Sequence, residues 1–187
     1  MGLIFGSATS LATWNIANRI YATTINSVSD FEYAFYDNEY KNEPKTLVEI
    51  TKYIGRRKDV VIPEVIEEKK VTRISSRAFY ASPIKSIVIP ESVYFISSEV
   101  FGNCKNLKKV TISGLVLGFD SNVFKGCNNL SSIVFSKDII FFSKPVFSGC
   151  SNELIVTCEN NSIIFRYCIE NNIKTKIPFK NRTYRNR

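Results

Sequence analysis

The stretch IVIPESVYFISSEVFGNCKNLKK, residues 87–109, is followed directly by two variants of itself. They read VTISGLVLGFDSNVFKGCNNLSS over residues 110–132 and IVFSKDIIFFSKPVFSGCSN over residues 133–152. Three sets of side chains return at intervals of 23 residues: Ile96, Phe119 and Phe142; Phe101, Phe124 and Phe147; and Cys104, Cys127 and Cys150. Self-similarity at a fixed period of this length is the signature of repeat architectures, so the stretch predicts a solenoid with one coil per repeat.

Each repeat opens with a pattern typical of a β-strand. Val110 and Ile112 are two residues apart and share one face, while Thr111 between them points to the other face. A second apolar pair and a Phe-x-x-Cys corner follow, and the phenylalanine is expected to fill the centre of the coil. The sequence therefore predicts a mainly β repeat solenoid with a period of about 23 residues and about four to five coils.

The sequence before the repeats predicts a cap. Apolar and polar residues alternate over 31–36 and 46–54, as in a hairpin, and a solenoid needs such an element because its first coil otherwise exposes strand edges. The first coil carries an insertion over 64–74, which is interpreted as a hairpin-like excursion.

The sequence after the repeats predicts a different ending. Beyond Cys150 the period slips by one residue, and a last strand over 153–157 follows. A helix over 163–171, begun by a cap at Asn161 and Ser162, and a closing strand over 173–177 are predicted next. The chain is thus divided into an N-terminal segment 1–30, a cap hairpin 31–59, repeats 60–155, a C-terminal cap 156–178 and a basic tail 179–187.

The N-terminal segment is fairly apolar but is not predicted to span a membrane. It is too short and too polar, since a spanning helix needs about 20 strongly apolar residues. A secretory signal carries basic residues ahead of its apolar run, whereas Arg19, the first basic residue, lies behind it. Two hypotheses remain: a helix over 11–21, or the remnant of a signal peptide cleaved near Tyr21 and Ala22.

The formal net charge of +8 is concentrated near the C-terminus. Six basic residues there form an acid-free tail: Lys174, Lys176, Lys180, Arg182, Arg185 and Arg187. This tail could attract phosphates, anionic lipid or an acidic polymer, or it could be a solvated terminus. The remainder of the chain is nearly balanced in charge.

The composition argues against an enzyme. The chain has no histidine, which removes the commonest general base and the commonest metal ligand. The acidic residues Asp59, Glu64, Glu67 and Glu68 are interleaved with lysines and are interpreted as a solvated hairpin. Neither a C-x-x-C zinc spacing nor a glycine-rich phosphate loop occurs. No catalytic residue, metal site or cofactor is predicted.

The five cysteines are expected to be structural. Cys104, Cys127 and Cys150 occupy one repeat position and are predicted to stack as a ladder of buried free thiols. Cys158 and Cys168 lie outside this ladder, and a disulfide between them is left open.

Two surfaces are candidates for binding. The first, the strand-face platform, consists of the outward residues of the repeated strands, is flat and carries one charge. Its residues are Ser86, Val88, Lys109, Thr111, Ser132 and Val134. The second, the apolar strip, lies between the second apolar pair of three repeats. Its residues are Tyr94, Phe95, Leu117, Ile140 and Phe141.

The apolar strip is expected to be covered, because soluble monomers rarely expose an apolar patch on the order of several hundred Å². The segment 3–14, a partner molecule or a second copy of the chain could cover it. The alternative is partial burial by neighbouring side chains.

The repeats resemble the BspA-like leucine-rich repeat proteins, whose pattern runs Leu-x-x-Val-x-Ile-Pro, Val-x-x-Ile, Ala-Phe, Cys, Leu. The second coil carries this pattern over 84–90, 93–96 and 100–101, and at Cys104 and Leu107. The resemblance extends over about residues 31–178. The sequence departs from the pattern where the proline after the strand is lost in the last two coils and where the apolar strip replaces small polar residues.

The resemblance implies a non-catalytic, secreted or cell-surface protein of bacterial type. Its implied role is adhesion to, or recognition of, a host or microbial protein or glycan. The expected location is extracellular or at the cell surface, and a cytoplasmic location is the alternative. The rival function is that of an intracellular protein whose basic tail binds nucleic acid or anionic membrane, although a protein or glycan partner is favoured over nucleic acid.

Overall fold

The structure is a computed structural model that describes residues 27–37 and 46–178. Several of the expectations above fall outside these residues. They are the helix over 11–21, the signal remnant, the covering segment 3–14, and the tail residues Lys180, Arg182, Arg185 and Arg187.

The described residues form thirteen strands and one α-helix, preceded by a 3-10 turn over Val28–Asp30. The strands are β1 (Phe31–Asp37), β2 (Thr46–Tyr53), β3 (Asp59–Val61), β4 (Val65–Ile66), β5 (Lys69–Ile74), β6 (Ser86–Ile89), β7 (Phe95–Ile96), β8 (Lys109–Ile112), β9 (Val116–Phe119), β10 (Ser132–Phe135), β11 (Ile139–Phe142), β12 (Ile155–Thr157) and β13 (Lys174–Lys176). The helix, α1, spans Ile163–Glu170.

Two sheets run along the solenoid. The first sheet has the order β1-β2-β5-β7-β9-β11, with β4 paired to β5, and the second has the order β3-β6-β8-β10-β12-β13. Strands of successive coils pair in parallel, whereas β1 and β2 form an antiparallel hairpin at the start of the first sheet. The predicted mainly β solenoid with a period of about 23 residues is therefore confirmed.

The structure corrects two details of the predicted organisation. The insertion over 64–74 is more than an excursion, because β5 joins the first sheet between β2 and β7. The second sheet also continues through β12 and β13 to six strands, so the estimate of four to five coils was too low. The slip after Cys150 is confined to the turn, because Ile155 again pairs with Ser132 in the register of the earlier repeats.

The core is a column of stacked aromatic rings. The ring centroids of Phe79, Phe101, Phe124 and Phe147 are separated by 5.3, 5.3 and 5.8 Å along the column. Tyr167 of α1 continues the column, 6.0 Å beyond Phe147. All of these side chains are buried, so each coil depends on the coils on either side for its apolar contacts.

The helix α1 lies where the next strand of the first sheet would lie. Its Tyr167 ring packs edge-on against Phe142 of β11 at 5.0 Å. Ser162 caps the helix by accepting a hydrogen bond from the Phe165 amide at 3.1 Å. Asp138 accepts a second hydrogen bond, at 3.3 Å, from the Ile163 amide. The helix thereby packs beside the last strand of this sheet and reduces its exposure as a pairing edge.

Candidate binding surfaces

The strand-face platform is one continuous face of the second sheet. Its six predicted residues lie in two rows, and each is flanked by its counterpart on the neighbouring strand. The full rows are Asp59, Ser86, Lys109, Ser132, Ile155 and Lys174, and Val61, Val88, Thr111, Val134, Thr157 and Lys176. The platform therefore carries more than the single charge expected from the repeats alone, because β3 and β13 add an acidic residue at one end and two lysines at the other.

Two of the six tail residues are part of the solenoid. Lys174 and Lys176 lie in β13, and the Lys174 ammonium group pairs with the Glu153 carboxylate at 2.7 Å. The hydrogen bond from Lys174 lowers the pKa of Glu153. These two lysines therefore contribute to the platform and not to a free tail.

The apolar strip lies on the opposite sheet, on β7, β9 and β11 and the turn before β7. The exposed fractions of Phe95, Leu117, Ile140 and Phe141 are 37%, 42%, 56% and 62%, while Tyr94 is half-buried. Neighbouring described side chains therefore bury the strip only in part.

Register explains how the strip is assembled. Phe95 pairs with Gly118, which pairs with Phe141, so a residue without a side chain separates the two rings. The Phe95 ring lies over this gap, because a Cβ atom added to Gly118 would approach it to 2.5 Å. Phe95 and Phe141 are the walls of a shallow pocket of about 200 Å³, with Ser97 and Asp120 among its polar lining residues.

Two residues that the sequence did not single out extend the strip, Arg73 of β5 and Tyr36 of the cap hairpin. The Arg73 guanidinium lies 5.2 Å from the Phe95 ring centroid and 4.3 Å from that of Tyr36. The Tyr36 hydroxyl lies 2.6 Å from the Thr72 hydroxyl, and burial raises the pKa of Tyr36 to about 12. The alternation of β1 was the available signal, but it does not reveal which strand packs beside β2.

Beyond these surfaces, we looked among the described residues for acidic clusters, metal ligands and membrane-spanning helices. The acidic residues Glu64, Glu67 and Glu68 are exposed around the β4–β5 turn, as expected of a solvated hairpin. Within residues 27–37 and 46–178, no group of three or more potential ligands is arranged to hold a metal ion. In the same part of the chain, no helix combines the length and the apolarity needed to cross a bilayer.

The fold and these surfaces define a leucine-rich-repeat scaffold. The family model for the BspA type leucine rich repeat region matches residues 58–183 in six copies. The chain therefore belongs to the BspA-type leucine-rich repeat family, whose members are generally scaffolds for binding and not enzymes.

One solved leucine-rich repeat structure shares this fold, and two further ones are similar to a lesser degree. A leucine-rich repeat protein from Bacteroides capillosus superimposes with a TM-score of 0.56 at 23% identity, covering 70% of this chain and 94% of that chain. The T. pallidum leucine rich repeat protein has a TM-score of 0.48 at 22% identity, covering 72% and 71%. A leucine rich cell surface protein from Faecalibacterium prausnitzii has a TM-score of 0.44 at 21% identity, covering 71% and 44%. No curated protein matches the chain significantly.

Proposed function

We propose that this chain is a non-catalytic adhesion or recognition protein that works at the cell surface or outside the cell. Its partner is a protein on a host or microbial surface. The observation that carries the proposal is the apolar strip, on which four side chains between 37% and 62% exposed lie on adjacent strands. A contiguous apolar patch on a soluble protein commonly marks an interaction surface.

The composition of the strip favours a protein partner. Phe95, Phe141 and Tyr94 supply aromatic area, and Arg73 lies beside them with its guanidinium over the Phe95 ring. Aromatic residues and arginine are enriched among the residues that contribute most to protein–protein binding, while the border of such interfaces is polar. Ser97 and Asp120 supply polar groups beside the Phe95–Phe141 pocket.

The rigidity of the supporting sheet adds to this proposal. β7, β9 and β11 are held in register by parallel pairing, and the side chains beneath the strip, Ile96 and Phe119, are buried. A binding surface on such a frame loses little conformational freedom when a partner docks.

The test is a double substitution in the strip, Phe95→Ser with Phe141→Ser. Protein-coated beads are applied to cultured epithelial cells and to immobilised extracellular matrix proteins, and the bound beads are counted. The double variant should lose at least about tenfold in binding, since central aromatic residues dominate such interfaces. Val65→Ser with Ile169→Ser is the matched control, because both residues are exposed and lie outside the strip.

Four further measurements separate the proposal from its rivals. Binding through the strip should persist when salt is raised, whereas binding through the basic tail should weaken steeply and vanish when the chain is cut after Ile177. Sedimentation shows whether a second copy occupies the strip. Self-association or dye binding after deletion of residues 1–25 would instead identify that segment as the cover. Equal binding by the strip variant and its control would refute the proposal.

A further inference from the structure

Three exposed lysines form a column along one edge of the second sheet. Lys58, Lys85 and Lys108 each stand one residue before a strand, at the same position of successive coils. Their backbones are joined directly, because the Lys85 amide donates to the Lys58 carbonyl at 2.6 Å and the Lys108 amide donates to the Lys85 carbonyl at 2.8 Å. Adjacent parallel strands are about 4.8 Å apart, so the column spans about 10 Å of backbone.

The charge of this lysine column is not neutralised locally. The ion pairs between described residues lie elsewhere and include none of the three lysines. No acidic residue occurs over 69–90 or over 100–119, the stretches that contain Lys85 and Lys108. The carboxylate of Asp59, next to Lys58 in the chain, accepts a hydrogen bond from the Ser86 hydroxyl at 2.5 Å, and that of Asp30 pairs with Arg57 at 3.8 Å.

Stacking like charges on neighbouring strands is unfavourable for folding. Lysine at all three positions is therefore a local conflict that a stable solenoid does not need. Such conflicts between a residue and its position are concentrated at functional sites. On the coil of Lys108, two further exposed lysines flank the column. They are Lys109, which lies on the platform, and Lys105.

A polar basin of about 490 Å³ lies near the column. It opens between the turn over 80–83, which precedes Lys85, and the turn over 103–106, which precedes Lys108. The residues that line it include Tyr80, Asn103, Asn106 and Lys105, while the Ser82 hydroxyl beside them is buried. The Asn103 amide donates to the Tyr80 hydroxyl at 2.6 Å, which orients both groups. The basin therefore offers hydrogen-bond donors and acceptors next to a row of cations.

The Tyr80 ring is 38% exposed, and Arg77 occupies one of its faces. The Arg77 guanidinium lies 4.3 Å from its centroid. The ring also lies close to Gly102, where an added Cβ atom would approach it to 2.9 Å. Single-stranded nucleic acids are held by successive bases stacked on several aromatic faces, whereas the lining of this basin has one aromatic ring, with Arg77 over one of its faces.

We infer that the lysine column and the polar basin bind a linear sulfated polysaccharide. The lysines supply point charges for the sulfate groups, and the Asn103 and Asn106 amides and the Tyr80 hydroxyl of the basin bind sugar hydroxyls. The surface differs from the apolar strip and lies on the other sheet. The inference rests on the proposed function only for the extracellular setting in which such a polymer would be met.

The test uses heparin as the probe and the full chain as the protein. The variant Lys58→Gln, Lys85→Gln, Lys108→Gln should bind heparin at least about tenfold more weakly at roughly 0.15 M salt. The plot of log affinity against log salt should become shallower, with the magnitude of its negative slope reduced by about two to three. Each lost contact releases one counterion fewer. The control Lys52→Gln, Lys69→Gln, Lys70→Gln removes the same charge from exposed positions on the other sheet and should bind heparin like the parent.

Two further variants and two competing polymers separate this inference from its alternatives. The variant Lys58→Arg, Lys85→Arg, Lys108→Arg should preserve heparin binding because the positive charge is kept. The double variant at Phe95 and Phe141 should also preserve it, so a failure of the strip proposal is distinguishable from a failure here. Hyaluronan, which carries carboxylates but no sulfate, and oligo(dT) should compete poorly with heparin.

Three results would overturn the inference. The first is equal loss in the column variant and its lysine control, which would indicate a response to net charge. The second is equal competition by oligo(dT), which would indicate a general polyanion surface. The third is loss of heparin binding when the chain is cut after Ile177 together with full binding by the column variant, which would assign the site to the tail.

Discussion

Each of the three repeated cysteines donates a hydrogen bond to the coil before it. The Sγ atoms of Cys104, Cys127 and Cys150 lie 2.9, 3.0 and 3.2 Å from the carbonyl oxygens of Phe79, Phe101 and Phe124. Cysteine suits this position because it is a small, largely apolar side chain with a weak S–H donor. The ladder predicted from the repeat is therefore confirmed, with Cys150 at its end half-buried. Cys158 and Cys168 are also free and buried.

The ladder predicts resistance to alkylation. Burial raises the pKa of Cys104, Cys127 and Cys150 to about 12, so few thiolates form in the folded protein at pH 9, where unfolded thiols, with a pKa of about 8.5, are mostly ionised. Iodoacetamide at pH 9, followed by mass spectrometry, should label these cysteines slowly in native protein and rapidly in urea. Rapid native labelling of all three would contradict the ladder.

At the scale of elements, the helix α1 replaces a strand at the end of the first sheet. The second sheet continues past this point through β12 and β13, while the first stops at β11. The helix contributes the buried side chains Ile164, Tyr167 and Cys168 to the end of the core. It closes one sheet with an element whose own backbone hydrogen bonds are internal, and so leaves no strand edge of its own for another chain to pair with.

The cap of this helix should be measurable in stability. Ser162→Ala removes the acceptor for the Phe165 amide in a residue that is only 5% exposed. The free energy of unfolding should fall by about 1 kcal/mol, as found when helix caps are removed. Urea denaturation checks the value, with the exposed Ser148→Ala as the control. A change of less than about 0.3 kcal/mol would mean that the side-chain cap is dispensable.

At the scale of the whole molecule, the stacked rings link all coils into one core. Phe124 touches rings on both sides of its own coil, since its centroid lies 5.3 Å from that of Phe101 and 5.8 Å from that of Phe147. In a solenoid, contacts are made only between neighbouring coils, so a defect in a central coil weakens the connection between the two halves.

Phe124→Ala should therefore lower the free energy of unfolding by about 3–5 kcal/mol, the usual cost of deleting a buried phenylalanine side chain. The urea transition should either shift as a whole or split into two steps. Phe35→Ala is the control, because Phe35 is 47% exposed on the cap hairpin and should change stability by less than about 1 kcal/mol. A loss below about 1 kcal/mol at Phe124 would exclude it from the core.

The repeat alone determined the solenoid, the phenylalanine column and the cysteine ladder. The physical reason is that parallel strands pair in constant register, so residues one period apart become neighbours. The same reasoning would have revealed the lysine column, since Lys85 and Lys108 are one period apart and Lys58 precedes Lys85 by a period lengthened by the insertion. The nearly balanced overall charge of the repeats does not indicate this column, because net charge carries no information on where the lysines lie.

Only the tertiary structure decided how the ends and the apolar strip are built. Arg73 and Tyr36 join the strip because β5 packs between β2 and β7, a pairing between segments that share no repeat. The Phe95 ring lies over Gly118 because of its side-chain rotamer. The strand register does not specify this rotamer, which depends on the space that neighbouring side chains leave. The period ends where the helix α1 replaces a strand, and beyond that point the contacts of each residue depend on packing and not on its position in a repeat.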